Sequence, residues 1–398
     1  MANHIIPRPP IPPGEEAMFV KFNCPPTEPS VPNPNPLLPP LPFTPDMVPP
    51  NRTFHRSLLR DFAIPLPLPA PNTGDSLIEM WIISDRGDEP QPDQFPSPLI
   101  RAVKGEIVHT VTTTRQGTHT IHHHGLEPTP CNDGVGKSSF EVGDPLVGQY
   151  TYQWLAAHAG TYFYHCHKNT VLHFEMGLYG GLIIDPPRRV GDISVPNPPY
   201  PPGGPGFVSG FNPAGGDVIR YDVEKFWVVD EFDSLWHRLV GDHGAFMAMC
   251  PPAPNDPATF TQDGFLNDFR PDVFLISGAP VAVGSTPVPA PSAEINAVRG
   301  QTILIRLLNA GYTVQQYTLG LNALVIGMDG RPLGVPPYEN YSRPFTVPAG
   351  RPFRLSTARR WELIIQPTSA GRFPVSFEFF DWVSGRKYAT AQSAINVS

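Results

Sequence analysis

The chain has 398 residues, 40% of them apolar, which is long enough for two domains of ordinary size and sufficient for globular packing. Charged residues make up 16% and the net charge is −8, which argues against a nucleic-acid or anionic-membrane partner, since either would need a basic face. Proline, at 54 residues, breaks helices and central strands, so short strands bounded by Pro and Gly predict an all-β fold.

The predicted elements fall into four segments along the chain. Residues 1–55 are proline-rich, and we interpret them as an extended N-terminal arm, with disorder as the alternative. Residues 56–187 form a strand-rich domain, residues 188–218 a Pro/Gly-rich linker, and residues 219–398 a second strand-rich domain. No apolar run approaches the ~20 residues of a membrane span. The first residues lack the apolar stretch of a signal peptide, so we expect a cytoplasmic protein unless an export signal was removed.

Histidine is concentrated in two stretches of the first domain, "THTIHHHG" (118–125) and "YHCHKNTVLHFEMGL" (164–178). The side chains in these stretches that could bind a metal are His119, His122, His124, His165, Cys166, His167 and His173. Alternate side chains of a strand point to opposite faces, so His165 and His167 share one face and Cys166 points to the other. His122 and His124 can likewise face together. The spacing predicts two sites back to back, one rich in imidazole and the other holding a thiolate.

Both predicted sites have ligand sets that suit copper. A thiolate with two imidazoles is the trigonal set of type 1 copper, and paired imidazoles suit further copper, which binds nitrogen more strongly than other divalent first-row metals. Any one of these histidines could instead be an ordinary core or surface residue satisfied by hydrogen bonds. The H-x-x-H-x-H and H-C-H frames on two strands favour metal binding.

The two strand-rich domains resemble each other internally. "VKGEIVHTVTTT" (103–114) parallels "VRGQTILIRLLN" (298–309), and "AHAGTYFYHCH" (157–167) parallels "TSAGRFPVSFE" (368–378). When the second pair is aligned on Ala-Gly, Ser376, Phe377 and Glu378 stand where the first copy has His-Cys-His. The repeat therefore predicts metal-binding side chains in the first domain alone.

The quoted motifs resemble the cupredoxin domains of multicopper oxidases, the laccase-like group related to copper nitrite reductases. The resemblance covers roughly residues 95–187 and extends more faintly over the second domain. It implies two cupredoxin-like Greek-key β-sandwich domains after a proline-rich arm, with copper as the cofactor of the first. Nitrite reductases have His-Cys-Ala where this chain has His-Cys-His, which favours the oxidase branch.

The resemblance also implies a role for each residue of the motifs. Type 1 copper would be held by His119, Cys166 and His173, with Met176 and Leu178 as alternative axial positions. Half of a trinuclear, oxygen-reducing cluster (type 2 and type 3 copper) would be held by His122, His124, His165 and His167. Asp133, which follows the H-x-H motif in "CNDGV", corresponds to the acidic residue that serves the family as a proton source.

The second domain departs from the family because it contains only His237 and His243, with no H-x-H or H-C-H motif. The family builds its cluster from the histidines of two domains. Three possibilities remain: two first domains could meet across a two-fold axis, a simpler copper site could use only four histidines, or the type 1 copper could act alone. The two-domain relatives commonly form homo-oligomers, and we expect a homo-oligomer here.

The predicted function is a copper-dependent oxidase that passes single electrons from a small reductant, phenolic or a metal ion, to dioxygen. One alternative is an electron-transfer or copper-binding protein without oxygen chemistry. Another is a reductase that acts on nitrite or another small oxyanion. The sequence does not identify the natural reductant.

Overall fold

Short strands dominate the chain, as its many prolines predict, and they form two β-sandwiches. The computed structural model describes residues 48–66, 76–114, 117–135, 138–143, 148–188, 191, 195–212, 215–241, 269–337 and 342–398. Most of the predicted proline-rich arm, residues 1–47, lies outside the described residues. In the described part of the chain, no helix is both long enough and apolar enough to cross a membrane.

The first sandwich consists of two four-stranded sheets, with strand orders β2-β1-β4-β6 and β3-β8-β7-β5. Its elements are β1 (Arg52–Leu66), β2 (Ser76–Asp85), β3 (Ser97–Val103), β4 (Ile107–Thr114), β5 (His122–His124), a 3₁₀ turn (Pro130–Asn132), β6 (Gln149–Leu155), β7 (Gly160–His165), α1 (Thr170–Glu175) and β8 (Tyr179–Asp185). Trp81, Tyr152, Trp154, Tyr164 and Cys166 are buried in the core between the sheets. Since side chains alternate along a strand, the neighbouring residues of β7 face away from this core.

The second sandwich is larger. Its elements are β11 (Val223–Phe232), α2 (Ser234–Gly241), β12 (Val273–Ile276), β13 (Ala279–Val283), β14 (Thr286–Pro287), a 3₁₀ turn (Pro291–Ala293), β15 (Ile295–Ala297), β16 (Ile303–Asn309), β17 (Val314–Leu319), β18 (Ala323–Met328), β19 (Arg331–Pro332), β20 (Phe345–Val347), β21 (Phe353–Leu355), β22 (Arg360–Ile365), β23 (Gly371–Phe380) and β24 (Lys387–Val397). One sheet has the order β14-β13-β12-β11-β16-β22-β18-β19 with β20 beside β18, and the other has the order β15-β24-β23-β17-β21. Both sheets contribute to one apolar core.

The segment between the sandwiches contains regular structure. β9 (Gly206–Ser209) and β10 (Val218–Tyr221) pair antiparallel within and just beyond the predicted linker. The predicted domain boundaries at residues 56 and 219 both fall inside strands, β1 and β10. The division of the chain into arm, domain, linker and domain stays a prediction.

The pairing pattern of the first sandwich repeats in the second. β1 runs parallel to β4 as β11 does to β16, and β3 runs parallel to β8 as β15 does to β24. β7 lies between β5 and β8, and β23 lies between β17 and β24. This topology agrees with the paired sequence motifs, and the all-β class is confirmed.

The sheet of the first sandwich that contains β7 packs its outer face against the second sandwich. Phe163 and Tyr179 belong to the same buried apolar cluster as Val228 and Leu308. Ion pairs are also buried here: Arg306 bonds to Glu224 at 2.8 Å and to Glu362 at 2.5 Å, and its Nη1 donates to Thr161 at 2.9 Å. The outward-facing residues of β7 therefore lie at the interface between the sandwiches.

Candidate metal centre

The thiol of Cys166 lies between two imidazoles on the core side of the first sandwich. Its Sγ is 3.5 Å from His119 Nδ1 and 3.2 Å from His173 Nδ1. Cys166 follows the end of β7, His119 forms an isolated bridge with Val142, and His173 lies on α1. All three ligand-competent residues are buried. The structure thus brings together the three side chains that sequence analysis assigned to type 1 copper.

The residues of this group fit a soft transition-metal ion. Tetrahedral sites with sulfur and nitrogen ligands separate the S and N atoms by about 3.5 Å, close to both distances seen here. Burial raises the pKa of the Cys166 thiol to about 11, so without a cation this buried sulfur stays protonated. A metal ion displaces that proton because thiolate is the form that coordinates.

Backbone hydrogen bonds of the turn after α1 connect His173 to Cys166 through Leu178. Leu178 N donates to His173 O at 3.0 Å, and Cys166 N donates to Leu178 O at 2.9 Å. Met176 caps the end of α1, and both Met176 and Leu178 are buried in the same core as Cys166. Both predicted axial residues therefore lie in the core cluster that contains Cys166, and the choice between them stays a prediction.

A second group of imidazoles lies on the opposite side of the same strands. His122 pairs with His165 across β5 and β7, and His124 Nδ1 is 3.4 Å from His165 Nε2. Ligand atoms of these three histidines all lie within 4.8 Å of one another. The His167 ring is beside them, with its centroid 5.2 Å from that of His122 and 5.6 Å from that of His165. Three of the four predicted cluster histidines converge, and the fourth borders them.

Backbone hydrogen bonds fix the orientation of two of these rings. Nδ1 of His165 donates to Cys166 O at 2.9 Å, and Nδ1 of His122 donates to Asp133 O at 2.7 Å. A carbonyl oxygen can only accept, so each Nδ1 carries the proton and each Nε2 keeps a lone pair for a metal. Burial lowers the pKa of His165 well below its usual range, and burial together with Arg360 lowers the pKa of His124 to about 3. Both imidazoles are therefore neutral, as ligation requires.

Asp133 reaches this group through the loop after β5. Its Oδ1 is 3.2 Å from His122 Nδ1, and its side chain is 29% exposed, so one carboxylate oxygen can contact the ring while the group remains in reach of water. The loop comes this close because Gly134 has φ +72° and a Cβ there would lie 2.0 Å from Ile121 O. Asp133 therefore lies beside the imidazole group, as the resemblance implies, and its role in proton transfer stays a prediction.

Other histidines of the sequence lie in different surroundings. His123 points into the core, where its Nε2 is 3.0 Å from Thr110 Oγ1 and its ring packs on Trp154. His237, on α2, donates from Nδ1 to Glu79 O at 2.6 Å and lies 3.6 Å from Glu175 Oε1. His243 lies outside the described residues. In the described part of the second domain, no histidine joins either metal-binding group.

Three aromatic neighbours of the ligands were not singled out from the sequence. Trp81 meets the His173 ring edge-on at 5.4 Å between centroids, and the His165 ring lies between Phe163 and Phe174, each 5.4 Å away. Phe163 and Phe174 flank the histidine motif along the chain, but only their contacts distinguish them from ordinary core residues. Trp81 comes from a distant strand and has no local signal.

Comparisons with known proteins agree with this geometry. Residues 92–189 match the family model of multicopper oxidases. An L-ascorbate oxidase of Cucumis sativus is 41% identical over 100 residues, which are 24% of this chain and 16% of that protein. A laccase of Aspergillus fumigatus is 41% identical over 108 residues, 26% of this chain and 18% of that protein. The chain thus spans less than a fifth of the length of these curated relatives.

Similarity in fold extends over most of the described chain. The blue copper oxidase of Nitrosomonas europaea superposes with a TM-score of 0.55 over 87% of this chain and 86% of its own, at 22% identity. At that level of identity the match shows a common fold, which includes the second sandwich as well as the first.

Proposed function

We propose that this chain, which contains a multicopper oxidase domain at residues 92–189, is a copper-dependent oxidase that passes electrons from a small reductant to dioxygen. The observation that carries the proposal is the placement of two ligand groups on opposite sides of His165-Cys166-His167. Cys166 belongs to the thiol group, and its covalent neighbours border or join the imidazole group. Electrons could therefore pass between the groups along a few bonds.

The chemistry implied for bound copper is single-electron acceptance at the thiolate group and reduction of dioxygen at the imidazole group. The chain's own residues orient these ligands and exclude water from the thiol. His119, Cys166 and His173 are buried, while His122 is half-buried and borders an open cleft. Asp133, whose Oδ1 lies 3.2 Å from His122 Nδ1, would relay protons from water to this group.

One observation favours a second candidate function, electron transfer or copper binding without oxygen chemistry. In the described part of the second domain, no histidine joins the imidazole group, so the described residues of one chain supply at most four histidines to it. An oxidase would then need a homo-oligomer in which subunits complete the cluster, or a smaller copper site. Oxygen consumption separates the two candidates.

The first test is the copper content of the reconstituted full chain, measured by elemental analysis on an oligomer of known size together with oxygen uptake. A content of about two to three per chain with catalytic oxygen uptake would support the oxidase. About one copper per chain without oxygen uptake would support electron transfer instead and contradict the oxidase.

A pair of histidine variants tests the assignment of the thiol group. His119→Ala should abolish the intense visible absorption of type 1 copper and leave the remaining copper bound. His55→Ala, at an exposed position of β1 in the same sandwich, should leave both unchanged. Retained colour in His119→Ala would remove the type 1 assignment.

A further inference from the structure

The imidazole group faces a cleft whose other wall belongs to the second domain. His122 and His124 line one side of this cleft of about 390 Å³. Arg331, Arg359 and Arg360 line the other side. Where the first domain presents histidines, the second domain presents guanidinium groups.

Arg360 is the most deeply placed of the three arginines. Its side chain is only 4% exposed, its Nε donates to Thr161 O at 3.5 Å, and its Nη1 donates to Ala358 O at 2.7 Å. Among the described residues, nothing accepts a hydrogen bond from Nη2. That atom lies against the backbone of Gly125, where a Cβ would be only 2.5 Å away. One donor of this buried arginine is therefore left over beside Gly125, in the cleft that His124 also lines.

The charge of Arg360 is poorly neutralised compared with that of the interface arginine Arg306. Arg306 has carboxylate oxygens at 2.8 and 2.5 Å. The carboxylate paired with Arg360, Asp329, is 3.7 Å away and also binds Arg359 at 2.9 Å. A buried cation in this condition is stabilised by any anion that reaches it.

The other two arginines can turn towards such an anion. Arg331 and Arg359 each have side chains 43% exposed, and the partner of Arg331, Glu127, is 84% exposed. Exposed ion pairs of this kind are worth little, so they exchange readily for a better partner. Three guanidinium groups share two carboxylates here, which leaves the second-domain side of the cleft net positive.

We propose that the cleft is a binding site for a small planar oxyanion, held by Arg360 Nη2 and Arg359 opposite His122 and His124. Guanidinium groups bind two coplanar oxygens in parallel, so a carboxylate or an inorganic oxyanion of that shape fits. The site lies at the imidazole group, so the bound anion would control access to it. This proposal goes beyond the oxidase function and does not require it, because the arginines are present without copper.

Calorimetric titration of the copper-free full chain with sodium formate and with sodium nitrite tests the proposal, with chloride used to keep ionic strength constant. We expect each probe to bind one site per chain and to compete with the other. Tighter binding of formate would indicate an organic acid as the ligand, and tighter binding of nitrite an inorganic oxyanion.

Two cleft variants and one control complete the test. Arg360→Lys keeps the charge but loses the planar pair of donors, and it should weaken both probes at least about tenfold. Arg359→Gln, at a half-exposed position, should weaken them several-fold. Arg372→Gln, outside the cleft and 62% exposed, should change nothing. The absence of binding to the copper-free wild type, or equal affinity in wild type and Arg359→Gln, would overturn the proposal.

Discussion

The two sandwiches of this chain share a strand topology and place different side chains on it. When the chain is aligned on the Ala-Gly pairs at the start of β7 and β23, Cys166 corresponds to Phe377 and His165 to Ser376. Cys166 and Phe377 are both buried in the core of their own sandwich. The equivalent position therefore faces inward in both, with a thiol in one domain and a phenyl ring in the other.

The neighbouring strands keep the same correspondence. His122 lies opposite His165 in the first sandwich, and Thr318 lies opposite Ser376 in the second. The second domain thus has the same strand pairing at this position, with hydroxyl groups where the first domain has imidazoles. The shared topology thus supplies two adjacent positions on opposite faces of a sheet, while side-chain identity decides whether they can bind metal.

The environments of the two outer faces also differ. In the first sandwich the outer face of β7 is covered by the second domain, and Thr161 Oγ1 donates to Glu362 at 2.6 Å. In the second sandwich the corresponding face of β23 is open to solvent, where Glu378 pairs with Lys387, a side chain 48% exposed. Covering one face shields the imidazole group from bulk water and leaves access through the arginine-lined cleft.

The largest effect is expected when the two equivalent inward-facing residues, Cys166 and Phe377, are each replaced by alanine. Cys166→Ala should remove the type 1 copper and its colour completely, because Cys166 is the only free cysteine in the described part of the chain. Phe377→Ala should leave copper content unchanged and lower the free energy of unfolding by about 3–5 kcal/mol, as for a buried aromatic side chain. Elemental analysis, visible absorption and chemical denaturation measure both. Copper loss from folded Phe377→Ala would contradict the assignment of copper binding to the first domain alone.

The next largest effect concerns two ion pairs, one at the covered outer face of the first sandwich and one on the open outer face of the second. Arg306→Met should lower the free energy of unfolding by about 3–5 kcal/mol, because it leaves Glu362 buried without its cationic partner. Lys387→Met removes the corresponding partner of Glu378 on the open face and should have a much smaller effect, since that pair is solvated. Denaturant titration at neutral pH measures the difference. Similar losses in the two variants would show that burial at the interface does not strengthen the ion pairs.

Much of the candidate site is local in sequence and could therefore be predicted from it. The H-x-H and H-C-H frames determine which side chains share a strand face, and the structure groups His119 with Cys166 and His122 with His165, as that alternation requires. The resemblance associates His173 with Cys166, and the structure places His173 Nδ1 3.2 Å from the thiol, although His173 lies on α1, a helix of six residues. So short a helix has no periodicity to detect.

Features that depend on contact between the domains could not be predicted. Arg360 begins a strand of the second domain and looks like an ordinary surface charge in the sequence, yet it is buried beside Gly125 of the first domain. His237 was considered as one of the second domain's few possible ligands, but α2 places it against Glu79 and Glu175 instead. Such placements follow from how two sheets pack, which no spacing along the chain encodes.

The smallest predicted effect compares two carboxylates of the second domain that respond to pH with opposite signs. Burial raises the pKa of Glu231 to about 7, although it accepts hydrogen bonds from Thr313. Partial burial opposes ionisation of Glu378, but its hydrogen bonds from Lys387 and Gln316 lower its pKa overall. Glu231→Gln and Glu378→Gln, each compared with wild type by denaturant titration from pH 3 to 8, separate these contributions.

The folded chain holds the Glu231 proton more tightly than the unfolded chain, whose carboxyl has an ordinary pKa of 4.5. The contribution of Glu231 to stability is therefore complete below pH 4.5 and is lost as the pH rises towards 7, with a slope of up to about 1.4 kcal/mol per pH unit. The contribution of Glu378 has the opposite sign, because it is present above pH 4.5 and is lost as the pH falls below that value. A stability difference between wild type and Glu231→Gln that stays constant across this range would mean that solvent reaches Glu231. The second domain would then lack the dry interior that its buried core implies.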